Sequence, residues 1–437
     1  MSTVNCEGGL SETTSRDALV DRLRRQGHLR LPRVEAAFRS VPRHLFVPEV
    51  PVEEAYRDRA IITKWAEGLP VSSASQPAIM AIMLEQLGLE PGHRVLEIGA
   101  GTGYNAALMA QIVGDAGKIV TLEIDGDLAA SARTHLAAVG FGHVQVVLGD
   151  GSRGYPESAP YDRIILTVGA WDIVPAWREQ LHPEGRLVLP LTLRGVQRSV
   201  AFEGHHLTSV SVHDCEFMPL RGALAEPPRR VALGPDPGLY LTVRDPRSVE
   251  AEAIYRLVTG SYQDSPAGVL VTSREVFSGL LLWLALREDA GCGLVALGPT
   301  VARGIVPPLF GSSGQFYWAA GILEGGSLCL LIRPDDGSLS GTSSDCTPGD
   351  HAFELVIRSY GPDDTAARRL RDHVTAWDAA RRPSTAGLRI RAYPHEVAYV
   401  PSAGEFVIPK RWTRLVLDWP ASGSSSATTR FGRRGGR

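Results

Sequence analysis

Cysteine is scarce and badly placed for any covalent or metal framework. Cys6, Cys215, Cys292, Cys329 and Cys346 are dispersed over 437 residues, with no CxxC pair and no histidine cluster at ligand spacing. An odd, scattered set excludes a disulfide scaffold, offers no metal site and fits a reducing cytoplasm. Long apolar runs are missing too. The longest, Leu280 to Leu286, falls far short of the ~20 residues that cross a bilayer, and Met1 to Arg25 lacks a signal-peptide core. Nor is there an excess of one charge: 45 basic and 48 acidic residues leave −3, so neither nucleic acid nor a membrane is expected as a partner. What is present, 44% hydrophobic and 21% charged residues, is the composition of a globular chain of two or three domains.

Helical patterns at 15–25 and 32–38 open the chain. Ser75-Gln-Pro77 then starts a helix with Ile79, Met80, Met83, Leu84 and Leu87 at helical spacing; Ser75 suits its N-cap and Pro77 its first turn. From Pro91, short apolar strands alternate with helices: strands at 94–98, 118–123, 144–148, 161–168 and 186–190, helices at 104–113 and 127–138. That alternation predicts a doubly wound, mostly parallel α/β sheet. Beyond a Pro, Gly and Arg-rich stretch the rhythm changes to mixed helices and strands. The division expected is an N-terminal helical segment 1–31, the α/β domain 32–220, a linker 221–238, a C-terminal α+β domain 239–420 and a disordered tail 421–437.

The strongest motif is Val95-Leu-Glu-Ile-Gly-Ala-Gly-Thr-Gly-Tyr104, an apolar strand running through Gly99, Gly101 and Gly103 into a helix. Glycines let the backbone turn sharply and approach a ligand closely. The third glycine comes one place early for the dinucleotide fingerprint, and Glu97 would repel a pyrophosphate. Glu97 suits instead the turn itself or a ligand ammonium. Glu123, 20 residues after Gly103, suits a pair of ribose hydroxyls, and Asp150-Gly151 an adenine amino group. Three acids at successive strand ends point to S-adenosyl-L-methionine, with Glu97, Gly99, Gly101, Gly103, Tyr104, Glu123, Asp150 and Gly151 as its contacts. Each acid alone is equally well a solvated strand-end carboxylate.

Several separated stretches resemble the protein-L-isoaspartate O-methyltransferase family. These are Val41-Pro-Arg-His-Leu-Phe-Val-Pro48, Ala55-Tyr-Arg-Asp58, Ser73-Ala-Ser-Gln-Pro77, Leu96 to Tyr104, Leu148-Gly-Asp-Gly151 and Gly185-Arg-Leu-Val-Leu-Pro190. The resemblance covers about 32–220. It implies a class I, Rossmann-like S-adenosylmethionine-dependent methyltransferase fold that transfers methyl to an isoaspartyl carboxylate of a peptide or protein, the ester then closing to a succinimide. It implies Ser75 as the catalytic serine, with Asp58, Ser73 and Ala74 facing substrate. The chemistry agrees: a carboxylate with a pKa near 4 is already ionised and attacks without a general base. No Asn/Asp-Pro-Pro-aromatic signature of amino methylation follows the fourth strand, and no Pro-Cys nucleophile appears.

Departures from the family point to a changed substrate. Between Asp58 and Ser75 the usual Pro-Ile-Gly-x-Gly-Gln-Thr type segment is replaced by Ala60 to Ser72, where Lys64 is either a partner for the substrate carboxylate or a solvated lysine. The second domain of about 200 residues is an addition. Related extended members are associated with tailoring of ribosomally made, cyclised peptides, methylating one aspartate to give aspartimide. A cofactor-binding adaptor without activity is the reading from another class. Oligomeric state is not legible.

Overall fold

The computed structural model describes residues 7–66, 69–204, 206–225, 230–235, 238–244, 249–312, 315–334 and 351–420. Helices α1 (Glu7–Arg25), α2 (Pro32–Ser40) and α3 (Val52–Ala55) precede a hairpin of β1 (Ile61–Ala66) and β2 (Leu69–Ala74). Helix α4 (Pro77–Leu87) follows, then β3 (Arg94–Ile98), α5 (Tyr104–Val113), β4 (Lys118–Glu123), α6 (Gly126–Ala138), β5 (Gln145–Leu148) and β6 (Tyr161–Leu166). This part closes with α7 (Pro175–Gln180), β7 (Leu181–Leu193), β8 (Val196–Glu203) and β9 (Thr208–Asp214).

Strands β5, β4, β3, β6 and β7 lie side by side and parallel, as expected of apolar runs covered on both faces. Val95, Leu96, Val120, Ile164 and Ile165 at their centre are wholly buried. Because β3 has β4 on one side and β6 on the other, successive crossovers leave it in opposite directions. The carboxyl end of β3 is therefore a switch point, where open α/β sheets leave a crevice.

The second sheet is antiparallel. It takes β10 (Arg230–Ala232), β11 (Leu239–Val243), β12 (Tyr262–Val271), β13 (Gly291–Leu297), β14 (Phe310–Ser312), β15 (Phe316–Glu324), β16 (Ser327–Ile332) and β17 (Phe353–Tyr360), in the order β10-β11-β13-β15-β16-β17-β12 with β14 beside β15. Helix α8 (Ala251–Val258) lies between β11 and β12 in sequence. Between β12 and β13, α9 (Ser273–Glu275) passes through a π-helical turn (Val276–Leu280) into α10 (Leu281–Arg287). Leu370, Val374 and Trp377 of α11 (Thr365–Ala379) pack with Leu294, Ile322, Leu330 and Ile357 in its core.

Two expectations need correction. The strands β18 (Arg389–Pro394), β19 (Phe406–Pro409) and β20 (Thr413–Asp418), assigned by the sequence to a domain spanning 239–420, belong to the first sheet. They extend it as β19-β20-β18-β9-β8-β7, with the Ala392 N–H donating to Leu207 O at 3.1 Å and Ile390 N–H to Ser209 Oγ at 2.8 Å. Alternating apolar residues reveal a half-buried strand but not its partner, and the unpaired edge of β9 is what this pairing covers. Likewise 221–238 is not simply a linker: Gly222–Leu224 forms a tight 3-10 turn, and β10 joins the second sheet. The tail 421–437 lies outside the described residues.

The two sheets are locked together through buried polar contacts. Arg198 on β8 donates to Thr385 Oγ1 at 2.7 Å and Phe277 O at 2.9 Å, and its Nε lies 3.1 Å from Asp214 Oδ1. Asp214 also accepts from the hydroxyls of Ser278 and Thr385. No helix among the described residues is long and apolar enough to cross a membrane.

Candidate functional site

The crevice is built at the carboxyl end of β3. Gly99 and Gly101 take φ of +101° and +52°, and a Cβ on Gly99 would meet Thr167 Oγ1 at 2.7 Å, so neither position accepts an ordinary side chain without strain. Gly103 occupies the N-cap of α5. The turn is held from the neighbouring strand: Glu123 accepts the Gly101 N–H at 2.9 Å on one oxygen and the Ile124 N–H at 2.9 Å on the other. Glu123 thus stands beside the turn, lining the cleft.

Asp150 and Gly151 follow β5. Asp150 accepts from Ser152 N–H and Ala223 N–H, both at 2.8 Å. Burial opposes ionisation here, but those two amides hold its carboxyl below the usual range. The Ala223 contact fastens the Gly222–Leu224 turn across the end of β5. Gly151 is buried; a Cβ there would meet Ile98 Cγ2 at 2.3 Å.

Two expected contacts lie deeper than the sequence suggests. Glu97 is fully buried beneath the turn, accepting from Asn105 Nδ2 at 2.8 Å and Thr121 Oγ1 at 2.6 Å. Burial pushes its carboxyl up to about 7, partly offset by those donors. It supports the turn from below and, like the expected contacts Gly103 and Asp150, is not among the residues lining the cleft. Tyr104 packs against Phe46 at 5.4 Å and Phe38 at 6.3 Å between ring centroids. Only part of it borders the cleft.

The opposite wall comes from the hairpin. In register, Ala74 faces Ile61 and Ser73 faces Ile62, and Ser73 O lies 3.7 Å from where a Cβ on Gly101 would stand. Ser73, Ala74 and Ser75 therefore run alongside the glycine turn. Gln76, not Ser75, occupies the N-cap of α4, and no side chain of that residue caps it. The helix is capped from a distance: Asp58 Oδ1 accepts the Ala78 N–H at 2.8 Å, while Gln76 Nε2 donates to Asp58 O at 3.2 Å. Pro77 fixes the backbone of the first turn without needing a partner, which lets Ser75 stay on the strand side. Among the described residues the Ser75 hydroxyl makes no hydrogen bond, although its carbonyl accepts from Arg43 at 2.9 Å. Asp58 supports this loop through its capping contact.

Lys64 does not face this wall. Its ammonium lies 2.7 Å from Asp127 Oδ1 and 3.3 Å from Asp125 Oδ2, and Arg221 reaches Asp125 Oδ2 at 2.6 Å. Arg221 holds the Asp125 carboxyl below the usual range, with Lys64 adding to the effect. Two cations from separate segments thus meet at the loop after β4. Arg221 carries no local signal, because the acid it meets is nearly a hundred positions away.

The cleft does not end at the hairpin. A continuous cavity of about 2800 Å³ passes Ser75, Gly101 and Glu123 and continues to Tyr240, Phe316 and Trp318 on the second sheet.

The profile of the family described as protein-L-isoaspartate(D-aspartate) O-methyltransferase matches residues 14–224. A protein-L-isoaspartate O-methyltransferase 2 from Archaeoglobus fulgidus is 42% identical over 210 residues, which are 93% of that protein and 47% of this chain. The chain belongs to the protein-L-isoaspartate O-methyltransferase family. A protein-L-isoaspartate O-methyltransferase from Methanopyrus kandleri is 41% identical over 215 residues, covering 92% of its length and 48% of this chain. Among solved structures, one called protein-L-isoaspartate O-methyltransferase aligns over 89% of this chain and 99% of its own, at 21% identity and a TM-score of 0.48.

A methyltransferase of this family takes its methyl group from S-adenosyl-L-methionine. The crevice fits that group: Gly99 and Gly101, both at positive φ, bring bare backbone to its edge, and the Glu123 carboxylate stands beside them, accepting the Gly101 N–H. Gly99, Gly101, Glu123 and Gly151 would hold it.

Proposed function

We propose that the chain methylates an isoaspartyl or aspartyl carboxylate of a peptide or protein, and that the ester closes to a succinimide. The observation carrying this reading is the uncommitted Ser75 hydroxyl beside the glycine turn, at the mouth of a cleft that continues across the second sheet.

The cofactor supplies an electrophilic methyl group on a sulfonium. The acceptor is already ionised at neutral pH, so no residue of the chain has to remove a proton. The Ser75 hydroxyl donates to one carboxylate oxygen and leaves the other aligned for attack. Held at Gly99, Gly101, Glu123 and Gly151, that group would pass its methyl from sulfur to the acceptor oxygen, and the carboxylate charge would be neutralised. Alignment and exclusion of water then account for most of the rate. In the later step the following backbone nitrogen attacks the ester carbonyl, and its proton leaves with the methoxy group as methanol. Asp58 positions Ser75 by fixing the start of α4.

A second reading narrows the substrate to one aspartate of a ribosomally made, cyclised peptide. It is favoured by the aromatic residues of β11 and β15 that border the cleft, where an unspecific repair enzyme needs no such wall.

Labelled S-adenosylmethionine, supplied with isoaspartyl, aspartyl and cyclised peptides, tests both. Methyl ester on isoaspartyl peptides generally supports repair; loss of water from a single aspartate in one cyclised peptide supports tailoring. Absence of transfer to every carboxylate sinks both. Ser75→Ala should lower kcat about 100-fold, the effect of losing one oriented donor, with cofactor affinity unchanged. Equal loss of rate and cofactor binding argues against the serine's role.

A further inference from the structure

Arg43 is wholly buried, and among the described residues no carboxylate lies within ion-pair distance of it. Its contacts are neutral. Nε donates to Ala55 O at 2.9 Å, Nη2 to Ser75 O at 2.9 Å and Ala74 O at 3.4 Å, and Nη1 meets the Met80 sulfur at 3.7 Å. The Tyr104 ring lies 5.2 Å from the guanidinium carbon. Asp58 contributes at longer range, and its Oδ1 is already bonded to the Ala78 N–H.

Burying a guanidinium among carbonyls is costly. Burial lowers its pKa, and the fields of Tyr104, Asp58 and Tyr56 only partly oppose this. A neutral donor would hold the same carbonyls at less cost, so the fork geometry alone does not account for a cation here. What it adjoins does. Arg43 borders the cleft and is bonded to the two residues, Ala74 and Ser75, against which the acceptor must rest.

We infer that Arg43 is a positioning residue that selects an anionic acceptor: the substrate carboxylate, arriving at the Ser75 hydroxyl, supplies the negative charge that the folded chain leaves out beside this guanidinium. The inference rests on the proposed carboxyl methylation and adds how the site tells a carboxylate from its uncharged amide, which has nearly the same shape but carries no charge and offers an NH2 donor where the acid has a second acceptor oxygen. It also gives product release a cause. Methylation removes the charge, so the ester loses the attraction that held the acid.

The test compares two peptides that differ only at the acceptor, carboxylate or primary carboxamide, by calorimetric binding to the full chain. The wild type should bind the acid about 10-fold or more tightly than the amide, within the range of close charge pairs. Arg43→Met should bring the ratio to about one by weakening the acid while leaving the amide unchanged. Arg43→Lys should retain most of the preference. If Arg43→Met weakens both peptides equally, the residue only supports the loop and the inference falls. A wild-type ratio near one overturns it as well, without any variant having to fold. A wild type that binds the acid preferentially yet methylates no peptide sinks the proposed function alone. A wild type that methylates, but whose preference survives Arg43→Met, sinks this inference alone.

Discussion

Two buried glutamates, one on each sheet's side of the molecule, are treated in opposite ways. Glu288, at the end of α10, has Arg369 Nε at 2.8 Å, His373 Nε2 at 3.2 Å and the Ala290 N–H at 2.7 Å. Burial works against its charge, yet these partners hold its carboxyl down at about 2. Glu97, under the glycine turn, has two neutral donors and, among the described residues, no cation; burial takes it up to about 7, and Glu123 pushes the same way. With Arg43, the first sheet's side holds a buried guanidinium and a buried carboxyl that, among the described residues, touch no group of opposite charge. Around Glu288 the second sheet settles its charge internally.

The contrast is open to breakage in order of expected size. Glu288→Gln should cost about 3 kcal/mol at pH 7, because Arg369 and His373 lose the acid they surround. The wild-type contribution is present above about pH 4.5 and fades as pH falls toward 2, since the folded carboxyl sits below its ordinary value. Urea unfolding across that window should show the decline in the wild type and not in the variant. Glu97→Gln should act with the opposite sign. There the fold favours the protonated acid, so wild-type stability declines as pH rises from about 4.5 to about 7 and is level beyond. The variant should be more stable by on the order of 2 kcal/mol at pH 8, and the gap should close below pH 4.5. A gap that is the same at every pH means Glu97 is not held near neutrality.

Lys64→Met should have the smallest effect. Its partners are partly exposed, so stability should change by less than about 1 kcal/mol. Cofactor release, followed by stopped flow, should quicken by about 3-fold at low salt, and the difference should vanish in high salt. A salt-independent change would mean that the hairpin is held by packing and not by its ion pairs.

The parallel centre of the first sheet and the glycine turn were legible because both rest on local rules: apolar runs at strand length and glycines where φ must be positive. Spacing from that turn singles out Glu123 and Gly151, and both line the cleft. Ser75 suits the N-cap by sequence but does not occupy it, since Gln76 stands there and the cap comes from Asp58, 20 positions before Ala78. Lys64, open between a partner for the substrate carboxylate and a solvated lysine, instead pairs with the acids after β4, which lie some 60 positions further on. Arg43 stood inside a recognised motif with nothing in the sequence to show that it would be buried without a counter-charge. The hairpin β1–β2 and the strands β8 and β9 have no counterpart among the strands expected from the sequence, and the return of 389–418 to the first sheet was not foreseen. Non-local pairing leaves no periodicity of its own.

That return of the chain makes the second sheet an insertion, stitched into the first at both ends by β9 and β18. A unit tethered at one end can swing or be trimmed away; this one can do neither without tearing a strand from its neighbour. Cutting the chain after residue 380 would bare the edge of β9 and invite aggregation rather than release a minimal enzyme. Anyone wishing to ask what the insertion contributes should excise it from within, joining the ends of the two flanking strands, and keep the final thirty residues of the first sheet in place.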